Sequence, residues 1–155
     1  MIDPGLRDLY QEVILDHGRN PRHFGRLSDA NHEAQGHNPL CGDRVHLYLK
    51  VGSSGCVEDV AFEGKGCAIS IASASMMTDL IIGKTVDEAK TLSAAFYHLA
   101  KGEATGDAVE AEDLERLEVM SGVSQFPMRV KCATLAWHTF EAAVDDKNGA
   151  EATSE

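Results

Sequence analysis

The sequence predicts an α+β domain in which a small antiparallel three-stranded sheet carries helices packed on one side. Three observations lead there. A stretch with period-two alternation, Arg44–Val51, falls in the first third of the chain. Helical periodicity precedes it once and dominates everything after residue 68. Strands and helices are grouped rather than alternating, which excludes the regular strand–helix repeat of a parallel sheet.

The first element is a helix over about Leu6–His17, where Leu6, Leu9, Tyr10, Val13, Ile14 and His17 recur at helical spacing. Asp3 suits the cap and Pro4 the first turn. Gly18 to Arg22 ends it, and a turn-rich stretch is expected up to Pro39. Beyond Asp43, Val45, Leu47, Leu49 and Val51 share one face of a strand, while Arg44, His46, Tyr48 and Lys50 share the other. Gly52–Gly55 reads as a turn, Cys56–Phe62 as the returning strand, and Gly64–Gly66 as a short third strand that delivers Cys67.

Ala68–Ile82 then reads as a helix stopped by Gly83. Thr85 with Glu88 three residues on matches a capping box and opens a helix to about Lys101. Residues 103–122 are acidic and rich in glycine and alanine, with a short helical pattern at Leu114, Leu117 and Met120. Pro127 starts a last helix in which Val130, Ala133, Trp137, Phe140 and Val144 line one face. The organisation expected is one domain over 1–146, with an additional segment near 103–122, and a flexible tail at 147–155.

Composition narrows the function. A chain of 155 residues with 43% hydrophobic and 25% charged residues can fold on its own core without disulfides. No run approaches the roughly 18 apolar residues of a membrane span, and the N-terminus shows no basic region followed by an apolar core. A cytoplasmic location is expected, in which four cysteines act as thiols or ligands rather than bridges. A net charge of −11 argues against nucleic acid and anionic membrane surfaces as partners.

Three of the cysteines sit where a thiol becomes a thiolate. Cys41 lies between Pro39 and Gly42 on a turn, with Asp43 two residues on and therefore pointing the same way in extended chain. Cys67 follows Gly64-Lys65-Gly66 and opens a helix, whose free N–H groups and positive dipole end favour an anion. Cys132 falls in the second turn of the last helix, with Arg129 three residues earlier on the same face and Lys131 adjacent. Taken singly, each also suits a plain structural cysteine. Taken together, three sulfurs and one carboxylate suffice to hold zinc, or iron with sulfide. Cys56, in the hairpin turn, reads as structural. None of the seven histidines forms a His-x3-His or His-x-Glu pair, and His37 is the one loop candidate near Cys41.

These residues resemble the IscU/SufU-type iron–sulfur cluster assembly proteins, related to the N-terminal part of NifU. The resemblance runs from Leu9–His17 through Asn38-Pro39-Leu40-Cys41-Gly42-Asp43 and Gly66-Cys67-Ala68 to Lys131-Cys132-Ala133. Two details place the chain nearer the SufU branch. Cys132 lies 65 residues after Cys67, with 103–122 as the extra piece, and Lys131 stands where the IscU-like pattern has a histidine. The resemblance implies that Cys41, Asp43, Cys67 and Cys132 bind Zn2+. It also implies that Cys41 accepts persulfide sulfur from a SufS-type cysteine desulfurase, assisted by Arg129, on the way to downstream cluster carriers or apo-proteins.

Three other functions compete. One is a scaffold that assembles and passes on a transient [2Fe–2S] cluster. Another is a zinc hydrolase or deaminase, which needs an open metal position and a general base that no His-x-Glu motif supplies here. The third is an interaction module with structural cysteines.

Overall fold

The computed structural model describes residues 4–39, 42–103, 105, 109–145 and 150–153. Helix α1 (Pro4–Arg19) covers the expected span and extends two residues beyond it at each end. Val13 and Ile14 pack against the core and His17 is buried. Strands β1 (His32–Asn38), β2 (Asp43–Val51) and β3 (Val57–Lys65) form the antiparallel sheet, β2 in the middle. A fourth strand, β4 (Ala150–Thr153), pairs parallel with β1 at the sheet's edge. Part of the stretch expected as a frayed tail is thus strand, while 146–149 and 154–155 lie outside the described residues.

The three-stranded antiparallel core with helices on one face is as predicted, but its third strand is not where the sequence puts it. Gly64 and Lys65 continue β3 rather than forming a strand of their own, and the third strand is β1, inside the stretch expected to be turn. The cause is what β1 presents inward: Ala34, Gly36 and Asn38, which show no apolar alternation. A Cβ on Gly36 would collide with the Thr139 hydroxyl and come within 3.2 Å of the Leu135 side chain. Small residues there let the last helix lie close to the sheet, and they erase the pattern by which a strand is recognised.

β2 alternates as expected, with Asp43, Val45, Leu47 and Leu49 buried and Arg44 exposed. Tyr48, on the outer side, is covered as well: it stacks on His46 with ring centroids 4.3 Å apart and donates to Glu63 Oε1 at 2.7 Å. Helix α2 (Ala68–Ile81) follows β3 after two residues. Helix α3 (Val86–Ala100) starts from a complete capping box: Glu88 N–H donates to Thr85 Oγ1 at 3.1 Å, and Thr85 N–H to Glu88 Oε1 at 3.0 Å. Within 103–122, helix α4 (Ala111–Glu118) and the residues after it bury Leu117 and Met120.

Helix α5 (Pro127–Asp145) departs from the one-faced pattern. From Cys132 to Phe140 every residue but His138 is buried, because α5 lies between the sheet and helices α2 and α3. Alanines and threonines fill the sides where neighbours come close, and Ser73 of α2 donates to the Ala133 carbonyl at 2.5 Å. Phe62, Leu47 and Phe140 are fully buried here, each contributing about 1.5–3 kcal/mol. Cys132 enters the interior on this helix.

Candidate metal centre

Chain connectivity builds the site at one end of the sheet. Asp43 is the first residue of β2 and pairs with Asn38, the last of β1. Beside them β3 ends at Lys65, Gly66 turns the chain, and Cys67 stands at the N-cap of α2 in extended conformation. α5 brings Cys132 down on the inner face. Asp43, Cys67 and Cys132 thereby present one carboxylate oxygen and two sulfurs, all within 4.8 Å of one another.

Asp43 and Cys132 are fully buried and Cys67 half-buried. Cys67 N–H donates to Asp43 Oδ1 at 3.0 Å, which fixes the carboxylate. Its other oxygen, Oδ2, is buried with no hydrogen-bond partner among the described residues. A buried carboxylate oxygen left that way is costly unless something positive meets it. Gly66 completes the cradle, since a Cβ there would collide with Asp43 Oδ1. Two thiols and a carboxylate are a donor set that suits zinc, and these residues fit it.

Arg129 stands on the same face of α5 as Cys132, exposed, with its guanidinium toward both sulfurs; Cys67 first and then Cys132 hold it more firmly charged. The expectation that Arg129 would lower the Cys132 thiol pKa is corrected. Burial pushes that thiol up, and the neighbouring Asp43 and Cys67 add to the effect. A buried sulfur beside a carboxylate keeps its proton until a cation takes the proton's place.

Of the predicted site residues, Asp43, Cys67, Cys132 and Arg129 come together. Cys41 lies outside the described residues; next to it, Gly42 adopts φ +72° and donates its N–H to the Asn38 carbonyl at 2.8 Å. His37 does not join the group: it is exposed on β1, one residue out of phase with inward-facing Asn38. Cys56 is at the far end of the β2–β3 hairpin, bridged to Thr85. The sequence reading missed Asn38. The buried side-chain amide places Nδ2 3.9 Å from Cys132 Sγ, while the backbone carbonyl of Asn38 accepts from Gly42 N–H. Its place just before Pro39 and Cys41 was the available signal, but the contact with a residue 94 positions away comes only from the fold.

Residues 9–102 match the family model described as the NifU-like N-terminal domain. The chain belongs to this family. The zinc-dependent sulfurtransferase SufU of Bacillus subtilis is 44% identical over 144 residues, covering 93% of this chain and 95% of that protein. The iron–sulfur cluster assembly scaffold protein IscU of Streptococcus pyogenes is 41% identical over 139 residues, covering 90% and 84%. A solved structure from Fervidobacterium islandicum, described as an iron–sulfur cluster assembly scaffold protein for the SUF system, superposes with a TM-score of 0.79 at 35% identity, covering 89% of this chain and 98% of that one. An N-terminal NifU-like protein of Brucella abortus gives 0.77 at 30% identity, covering 90% and 94%. The function of this chain is therefore in iron–sulfur cluster assembly.

Proposed function

We propose that the chain is a zinc-bound sulfur acceptor that takes persulfide sulfur from a SufS-type cysteine desulfurase. The observation that carries this reading is the convergence of Asp43, Cys67 and Cys132, with a buried Asp43 oxygen that has no hydrogen-bond partner among the described residues and with Arg129 beside both sulfurs. A sulfurtransferase relative named for zinc dependence, alike over 93% of the chain, supports it.

Asp43, Cys67, Cys132 and, from the sequence, Cys41 would hold the metal. Bound there, Zn2+ would keep the thiols deprotonated at neutral pH, and its ligands would come from the start of β2, the N-cap of α2 and the second turn of α5. Cys41 is the acceptor: in the sequence it is followed by Gly42, and a residue without a side chain beside a thiol lets a large donor approach. Its thiolate attacks the outer sulfur of the desulfurase persulfide. The S–S bond of that persulfide breaks, the desulfurase cysteine leaves as thiolate, and a new persulfide forms on Cys41; no oxidant or reductant enters. Arg129 faces the incoming sulfur anion as a fixed positive charge. Cys132, sealed in the interior, is shielded from the same attack. Downstream recipients are cluster carriers or apo-proteins.

Metal content and sulfur transfer measured together test this. Purified protein should carry about one zinc per chain, and after incubation with desulfurase and cysteine, mass spectrometry should find the persulfide on Cys41. Cys41→Ala should abolish stimulation of the desulfurase while leaving part of the zinc bound. Full stimulation by that variant overturns the acceptor assignment. A stable, transferable visible chromophore after anaerobic loading with iron and sulfide, in place of zinc, assigns the [2Fe–2S] scaffold role instead.

A further inference from the structure

The outer face of the sheet carries a row of basic side chains. His37 of β1, Arg44 of β2 and Lys65 of β3 sit directly opposite one another across the three strands, and all are exposed. Like charges placed opposite each other on neighbouring strands cost stability, and Arg44 and Lys65 form such a pair in a chain of net charge −11. Two carboxylates on this face have partners of their own: Glu33 pairs with His46 at 3.3 Å, and Glu63 accepts from the Tyr48 hydroxyl at 2.7 Å. Among the described residues, neither Arg44 nor Lys65 has an ion-pair partner. Beside the row Phe24 is 53% exposed, and together they line a shallow cavity of about 590 Å³.

The row is tied to the metal centre through the backbone. His37 precedes Asn38, Arg44 follows Asp43, and Lys65 lies two residues before Cys67. Strand alternation turns Asn38 and Asp43 inward and their neighbours outward. The two faces of the same strand ends therefore carry different chemistry.

We propose that this row docks an acidic helical face of a partner protein, one other than the sulfur donor. Neighbouring strands stand about 4.8 Å apart, and the Cβ atoms of residues four apart on a helix are about 5–6 Å apart. Successive glutamates at i, i+4 and i+8 thus match the three positions of the row. A single phosphate would meet one or two of them, and a nucleic acid, charged along its whole length, would run beyond the row into the field of a strongly acidic chain, whereas a helix can confine its carboxylates to the row. Phe24 supplies an apolar contact beside the charges. Because the row faces away from the metal centre, its occupant leaves that centre free to receive sulfur.

The probe is a synthetic helical peptide with Glu at i, i+4 and i+8, titrated into the zinc-loaded, isotope-labelled full chain and followed by NMR. Shifts should be confined to the surroundings of Phe24, His37, Arg44 and Lys65, and the Gln counterpart of the peptide should produce none. Arg44→Ala and Lys65→Ala should each weaken binding about two- to fivefold, the range of an exposed ion pair. Both variants should accept sulfur from the desulfurase at the parent level, which separates failure of this inference from failure of the acceptor reading. The inference is overturned by scattered or absent shifts, by equal binding of the Gln peptide, or by tighter binding of inorganic phosphate or of a single-stranded oligonucleotide of equal charge. Loss of sulfur acceptance in the two variants overturns it as well, since the row would then serve the sulfur donor.

Discussion

The two ends of the β2–β3 hairpin are built from similar parts and behave as opposites. At the turn end, Gly52 N–H donates to the Cys56 carbonyl at 2.9 Å, Gly55 N–H to the Gly52 carbonyl at 3.0 Å, and Val57 N–H to the Lys84 carbonyl at 2.8 Å. Its cysteine faces no second thiol or carboxylate in a metal-sized group among the described residues. At the other end, a glycine, a cysteine and an aspartate form a cradle in which one buried acceptor, Asp43 Oδ2, has no hydrogen-bond partner among the described residues. One end is closed by its own backbone; the other gathers two thiols and a carboxylate that could hold a cation. The same residue types become structure or chemistry according to whether local hydrogen bonds are completed.

The largest effect that would sharpen this contrast comes from chelation. Removing zinc should lower the melting temperature steeply, since metal bound at a site of this kind contributes on the order of 10 kcal/mol. Calorimetry with and without chelator reads it, and an unchanged melting curve would leave the two ends equivalent. Glycine substitutions come next. Gly66→Ala forces a methyl against a fixed carboxylate and should cost about 1–3 kcal/mol together with zinc binding. Gly55→Ala, at φ +83° with open space around it, should cost about 1–2 kcal/mol and leave zinc stoichiometry intact. Metal analysis beside denaturant unfolding separates the two, and zinc retention by Gly66→Ala would break the comparison. The smallest effect belongs to Cys56→Ser, expected to stay within about 0.5 kcal/mol with full zinc content.

Much of this molecule was legible before folding because its signals are local. The capping box at Thr85 and Glu88, the alternation of β2 and the starts of α2 and α5 depend on residues within a turn or two of one another. Asp43, Cys67 and Cys132 were legible for a different reason: each sits where the chain changes direction or beside a cation, so its chemistry shows in its neighbours. β1 escaped because Gly36 is dictated by Thr139 and Leu135 of α5, about a hundred positions away. The same helix, enclosed by sheet and helices, lost its one-faced pattern.

By itself the sequence determined which atoms are offered: thiols, a carboxylate, a guanidinium, and the glycines that make room for them. Only the tertiary structure decided that two sulfurs and an oxygen fall within 4.8 Å, that Asn38 reaches Cys132, and that His37, Arg44 and Lys65 line up across three strands on the opposite face. Side-chain chemistry is carried by each residue wherever it sits. Distance between residues far apart in sequence is fixed by how the sheet pairs and how α5 packs on it, and no local pattern records that.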